Sequence, residues 1–493
     1  MLKFFIMKKI SNKFWFFLVW IICGALVVGL IFWISWTLLG KTDNLGHIDT
    51  SSYQVVNYNK NSNSFASTRI NSSPEREEDE TARRAYQLFS PKTAATYVAP
   101  NKIYQDNFKT SLSLSIPVVG AIDQDGKPAK ASGTTWILDY QLTEDGSYPL
   151  TWYFATNAHV ATYFSSRDFP ESTKYFRGET EEVYLRRWDL KKTGTNIQKI
   201  ENDDKPENTL TVPRKNVKLV FMGNDYLTTK PNDYFRDLAS YEEIIDFAVF
   251  EIKFQNEAEA RKFTSDYALW EEKDKNNFIK DSLLKDYLQT TNNYYYISGY
   301  PDPTERNEDG IRKENQIRAL VPSINKPVED TVEGLDAKIY EKGAMLSEFE
   351  NNSMFGKKGI VDSSAFFKGT TLNIWGQKYY YSGLLYYFRN TALSGGSSGS
   401  KTVDKNNKIV GIHALGSDLS GLTGSVAFKS EGFKVQGLPS FWYRNYFIPQ
   451  YDLIYGGGKE QKKSYKDSLK NIKKIDSNFK THLFPKGFNN QSL

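Results

Sequence analysis

Between residues 111 and 122 the chain reads SLSLSIPVVGAI, and comparable short apolar or alternating runs recur downstream. They are GTTWILDY (133–140), LTWYFATNA (150–158), VKLVFMG (217–223), DFAVFEIKF (246–254), YYYISGY (294–300) and KIVGIHAL (408–415). Runs of this length, bounded by Gly, Pro, Asn, Asp and Ser, predict β-strands. Two tracts interrupt them. Residues 256–289 predict mainly helix, and residues 302–350 are polar and contain proline. The expected fold class is mainly β, with helical and loop insertions.

The ends carry a different pattern. Phe14 to Leu39 is uncharged and follows Lys3, Lys8, Lys9 and Lys13. At 1.5 Å per residue it reaches about 39 Å, enough to cross a hydrocarbon core of roughly 30 Å. The expectation is one uncleaved N-terminal transmembrane helix, with the lysines inside and the body outside the cell. Lipoprotein processing at Cys23 is the alternative; against it, Ile22 is not small and an uncharged, mostly apolar run continues past the cysteine. Residues 41–72 are rich in Asn, Ser and Thr and predict a tether, followed by a short helix that Ser73 would cap and Pro74 would open. The expected organisation is an anchor over 1–40, a tether with a short helix over 41–95, a folded domain over 96–456 and a basic, solvated tail over 457–493.

One cysteine among 493 residues excludes a disulfide framework and a Cys-rich zinc module. Four histidines (His47, His159, His413 and His482) argue against a multi-His metal centre, and neither metal nor cofactor is expected. The net charge of +5 sits at the ends, so the body between them is acidic. It offers no basic stripe for nucleic acid. His47 and His482 fall in the tether and tail and are expected at the surface.

Three constellations remain for chemistry. Ala155-Thr156-Asn157-Ala158-His159-Val160 ends a strand and presents a histidine. On Asp246-Phe247-Ala248-Val249-Phe250, strand alternation places Asp246 on the face of Ala248, Phe250, Ile252 and Phe254, where an isolated carboxylate would be costly. Leu393-Ser394-Gly395-Gly396-Ser397-Ser398-Gly399-Ser400 surrounds serines with glycines, which lets backbone N–H groups converge on an anion. It fails the phosphate-loop pattern, because Ser400 separates Gly399 from Lys401. Ser398-Gly399-Ser400-Lys401 fits S-x-x-K, but Lys192-Thr193-Gly194, the companion motif, lies upstream instead of downstream.

The order His159, Asp246, Ser398 and the surrounding motifs resemble the chymotrypsin-like serine proteases, especially the glutamyl-endopeptidase branch. The motifs are T-x-x-H-V at 156–160, D-F-A-V at 246–249, G-Y-P at 299–301, G-S-S-G-S at 396–400 and I-V-G-I-H at 409–413. The layout, with A-T-N-A-H-V, A-L-S-G-G-S-S-G-S and the closing Tyr451-Asp452-Leu453-Ile454-Tyr455-Gly456, resembles the mycoplasma immunoglobulin proteases and related mycoplasma surface lipoproteins. The resemblance covers roughly residues 100–456.

It implies a double β-barrel and a cell-surface serine endopeptidase acting on host protein, immunoglobulin heavy chain above all, beside an antibody-capturing partner protein. In it Ser398 is the nucleophile, His159 the base and Asp246 its orienting acid, with the N–H groups of Gly396 and Ser398 holding the oxyanion. Ser397 is a rival nucleophile. His413, with Ala414, Leu415 and Gly416, would line the substrate pocket, although a packed strand histidine is an equal reading of His413. Ser397 stands where digestive members of that family carry the acid that pairs with a newly cut N-terminus, so activity is expected without precursor cleavage. The alternative is a non-catalytic surface binding protein, or adhesin, on a degenerate protease fold.

Overall fold

The protein is represented by a computed structural model that describes most of the chain between residues 97 and 488. Residues 1–96, 165–181, 201–205, 301–322, 325–346, 350–359, 436–445 and 489–493 and several short loops lie outside the described residues. The expected anchor, the tether and its short helix therefore fall outside them. No helix among the described residues is long and apolar enough to cross a membrane.

The first sheet uses β1 (Ser111–Ile122), β2 (Pro128–Tyr140), β3 (Thr151–Thr156), β4 (Glu182–Arg186), β5 (Thr209–Pro213), β6 (Val217–Asn224) and β7 (Glu242–Lys253). Strands β7, β3, β2, β1, β4 and β5 follow one another in that order, and β6 pairs with β7. A single turn at Arg214–Asn216 joins β5 to β6 and curls the sheet back towards itself. Its interior is filled by one face of each strand, among them Leu112, Leu114 and Ile116 of β1, Phe154 of β3, and Ala248, Phe250 and Ile252 of β7. The alternation expected for β7 holds. Its other face is buried too, because Phe247 meets Phe221 at 5.6 Å and Phe428 at 4.9 Å.

The second sheet contains β8 (Tyr294–Gly299), β9 (Leu384–Arg389), β10 (Lys401–Val403), β11 (Lys408–Gly416) and β12 (Thr423–Ala427). β11 pairs β10, β10 pairs β8, a short strand at Ser347–Phe349 links β8 to β9, and β12 pairs both β9 and β11. That circuit closes on itself, which removes open edges. Aromatic contacts across the two sheets include Trp136 with Phe428 at 6.1 Å.

Two expectations change. The tract 256–289 is helical for much of its described length, but in short pieces: the helix Glu257–Thr264 stops because Ser265 and Asp266 adopt left-handed backbone, φ 56° and 54°, and single 3-10 turns at Tyr267–Leu269 and Glu272–Asp274 come next. A short strand at Asn277–Phe278 and one helical turn at Leu283–Asp286 follow.

The segment after Gly456 is no solvated tail. Its helix Tyr465–Lys473, capped by Ser464, buries Tyr465, Lys466 and Leu469, while Lys470 and Lys473 stay partly exposed. Tyr465 Oη donates to Asp139 Oδ2 at 3.2 Å, and the Leu483 N–H donates to Asp139 Oδ1 at 3.0 Å. His482, expected at the surface, stacks on Tyr140 at 4.9 Å between centroids and bonds Glu272. Phe484, 5% exposed, packs against Tyr455 and Tyr465. Phe484→Ala should destabilise the protein by about 3–5 kcal/mol in denaturant titration, against under about 0.5 kcal/mol for Ile475→Ala at an exposed position.

Candidate active site

The register of β3 and β7 builds the first half of the site. Ala248 pairs with Thr156, so the start of β7 runs past the end of β3, where the chain turns at Asn157 into the single helical turn Ala158–Ala161. Asp246 is thereby brought opposite His159. Its Oδ1 accepts the His159 backbone N–H at 3.0 Å, and its Oδ2 lies 2.7 Å from His159 Nδ1. Asn157 Nδ2 donates to the Asp246 carbonyl at 2.7 Å and locks the corner. A carboxylate accepting at Nδ1 fixes the ring proton there and leaves Nε2 as the basic edge. Asp246 is buried, whereas the His159 side chain keeps 19% exposure.

The glycine-serine loop supplies the second half. Gly396 and Gly399 have φ of +94° and +96°, backbone that favours glycine. A Cβ on Gly399 would stand 2.0 Å from the Thr134 carbonyl oxygen and 2.7 Å from Thr156 Oγ1, so nothing larger fits. The Thr134 N–H donates to Ser398 O at 2.7 Å, and Thr156 Oγ1 donates to Thr134 O at 2.9 Å. The loop is thus tied, through β2, to the strand that ends three residues before His159. Gly133 confirms the proximity: a Cβ there would meet both Val160 Cγ1 at 2.9 Å and Ser398 O at 3.1 Å. Ser398 Oγ makes no hydrogen bond to the His159 ring among the described contacts; in unliganded hydrolases that contact is often long. The N–H groups of Gly396 and Ser398 have no hydrogen-bond partner among the described residues.

Ser397, the rival nucleophile, is fully buried and its Oγ lies 3.1 Å from His413 Nε2. His413 is 1% exposed, with Thr423 Oγ1 at its Nδ1. Burial first, then the neighbouring His159, pushes the His413 imidazole down to about 3. The buried ring is neutral. Ala414 and Leu415 follow on β11, where the pairing with β12 shifts register between His413 and Leu415. Leu415 stands against Gly424, whose Cβ would meet its Cγ at 2.9 Å, and Gly416 pairs with Thr423.

Lys401, which raised the S-x-x-K reading, is fully buried and donates to Thr110 Oγ1 at 2.7 Å and Asn276 Oδ1 at 2.6 Å. Burial lowers it to about 7. Sequence reasoning gave no role to Thr134, Asn157 or Thr423. The small-residue run Ser132-Gly133-Thr134-Thr135 was the available signal for the first.

For a metal, the candidate group among the described residues is Asp225, Glu242 and Glu243, with ligand atoms within 4.8 Å of one another. Lys462 pairs with Asp225, and Lys230 with Glu242 at 2.8 Å. Burial raises Glu243 to about 8. Two paired carboxylates and a largely protonated third make a charge-balanced network, which is a poor cation cage.

The sequence profile described as Mycoplasma immunoglobulin protease matches residues 101–415. The chain belongs to this family. A membrane-associated lipoprotein of Ureaplasma parvum is 30% identical over 79% of this chain and 54% of its own length. The chain thus spans about half of that relative. An uncharacterized lipoprotein of Mycoplasmoides gallisepticum is 24% identical over 67% of this chain and 69% of its own. Among solved structures, that of the mycoplasma MIB and MIP proteins superposes with a TM-score of 0.53 at 24% identity, over 73% of this chain and 61% of that one, a likeness of fold.

These relatives correct the expected anchoring by an uncleaved transmembrane helix, since both curated relatives are named lipoproteins. The physical reason lies in the lysines and the nine apolar residues Phe14–Ile22 before Cys23, which have the proportions of a signal peptide.

Because His413 is neutral when folded and titrates near 6.5 when unfolded, the unfolded chain binds the extra proton between those values. Its contribution to stability is complete above about 6.5 and falls as pH drops towards 3. Denaturant titrations at pH 7.5 and 4.5 should show that loss, and the pH dependence should be shallower in His413→Gln.

Proposed function

We propose that this chain is a serine endopeptidase of the outer cell surface, on a chymotrypsin-like double β-barrel, that cleaves immunoglobulin heavy chain. The observation that carries the reading is the Asp246–His159 pair, joined at both carboxylate oxygens, beside a glycine-serine loop pinned by Thr134 to the same strands. His159 Nε2 takes the Ser398 proton as Oγ attacks the scissile carbonyl, then returns it to the leaving amine. Asp246 holds the ring and stabilises its charged form. The N–H groups of Gly396 and Ser398 receive the oxyanion, and water then hydrolyses the acyl-enzyme with His159 again as base.

The family supports the protein substrate, and the related structure, which describes two mycoplasma proteins, MIB and MIP, supports a partner protein. The lipoprotein relatives support lipid attachment at Cys23, the chain's one cysteine, after removal of the residues before it.

Incubation of the purified protein with immunoglobulin, with and without an antibody-binding partner, should yield heavy-chain fragments. Ser398→Ala or His159→Ala should lower turnover on the order of a million-fold. Asp246→Asn, which favours the wrong ring tautomer, should lower it about 10⁴-fold. Cleavage persisting in Ser398→Ala would refute the nucleophile, and binding without cleavage would make the protein an adhesin. Separately, Cys23→Ser should abolish incorporation of labelled fatty acid and release the protein from the membrane fraction.

A further inference from the structure

The neighbours of the proposed nucleophile contain a second serine–histidine contact that the reaction does not use. Ser397 and His413 are both buried, and their side chains meet at 3.1 Å. Thr423 Oγ1 touches His413 Nδ1 on the other side and donates to the Leu415 carbonyl at 2.8 Å. The Thr423 hydroxyl has one hydrogen, and a carbonyl can only accept. One assignment satisfies all three contacts: Thr423 O–H donates to Leu415 O, His413 Nδ1–H donates to Thr423 Oγ1, and His413 Nε2 accepts from Ser397 O–H.

This pair is no second catalytic dyad. Ser397 has no exposed surface, and Thr423 occupies the place where a carboxylate would have to orient the ring. Its backbone connections say what it does. The Gly399 N–H donates to His413 O at 2.8 Å, the His413 N–H donates to Ser400 O at 2.7 Å, and the Ser400 N–H and Oγ both donate to Ser397 O, at 3.0 and 2.6 Å. Residues 397, 399 and 400 are thereby fastened to His413, while Gly396 and Ser398, the residues between and beside them, keep their N–H groups unengaged among the described residues. The Gly396 carbonyl accepts from Thr134 Oγ1 at 3.2 Å, and the Ser397 side-chain bond is the second tie on the peptide that Gly396, at φ +94°, leads into.

We propose that His413 is a positioning residue: as a fixed Nδ1–H tautomer held by Thr423, it accepts the Ser397 hydroxyl and so sets the oxyanion-binding peptides of the nucleophile loop. The inference rests on the reading of Ser398 as nucleophile. It is a neutral, internal device, and it joins the loop to the strand pair that bears Leu415. A substrate side chain that shifts the β11–β12 wall therefore acts on the loop through Thr423 and His413, without contact to Ser398.

Two measurements on the full chain test it. The first is the tautomer. With four histidines in the sequence, ¹⁵N-histidine labelling gives few ring signals, assigned by His413→Gln. His413 should show a protonated Nδ1 and a bare Nε2 at pH 7, and a protonated Nε2 would overturn the inference whatever the protein's activity. The second is the rate at which diisopropyl fluorophosphate phosphorylates Ser398, where Oγ bonds to phosphorus, fluoride leaves and His159 takes the proton.

Ser397→Ala and His413→Gln should each slow that reaction roughly ten- to hundred-fold, because a misplaced donor costs rate without touching the nucleophile. The double variant should be no slower than the slower single one, with melting temperatures followed in parallel. Wild-type rates in Ser397→Ala, or losses that multiply in the double variant, would overturn the inference. Absence of labelling in the wild type would instead refute Ser398 as nucleophile, leaving the tautomer to decide the role of His413.

Discussion

The site rests on one buried carboxylate. Asp246 leaves water within β7, on the face that also carries Ala248, Phe250 and Ile252, a placement that is costly unless both its oxygens find donors. They do: one takes the backbone and the other the ring of His159, and Asn157 secures the peptide behind them. Since those donors sit at the end of the neighbouring strand, the requirement to satisfy Asp246 fixes the β3–β7 register, the turn after Thr156 and the facing of the imidazole together. The glycine-serine loop is then placed by reference to that same strand, through Thr134 and Thr156.

The second sheet contributes by closure. Its strands form a circuit, and β11 borders the loop along its length, so the loop is gripped from both sides, by β2 of one sheet and β11 of the other. Glycine is required at 399 for reasons of space and backbone sign together. Ser397 and Ser400 are buried and have structural partners, which leaves Ser398 as the partly exposed serine between them.

Much of this was legible beforehand. Alternating runs marked β1, β2, β3, β6, β7, β8 and β11 close to their observed bounds, and three short motifs named His159, Asp246 and the serine loop. What remained hidden has physical causes. The helix Tyr465–Lys473 reads as polar because its lysines outnumber the Tyr465 and Leu469 that dock it, and composition alone does not separate a solvated tail from an amphipathic strap. The tract 256–289 has helical composition, but the left-handed residues Ser265 and Asp266 are not identified by propensity. Motif reading stopped at residues with reactive groups, so Thr134 and Thr423, whose hydroxyls only arrange other groups, were passed over. The anchor was misjudged because a long apolar run satisfies the length of a bilayer whether or not the chain is cut within it.

The strap also sets a timetable. Asp139, in the second strand of the barrel, is capped by the amide of Leu483, 344 positions later. Contacts of that sequence separation form late and slowly. The first sheet therefore cannot reach its final form until the segment around Leu483 has been synthesised and has docked.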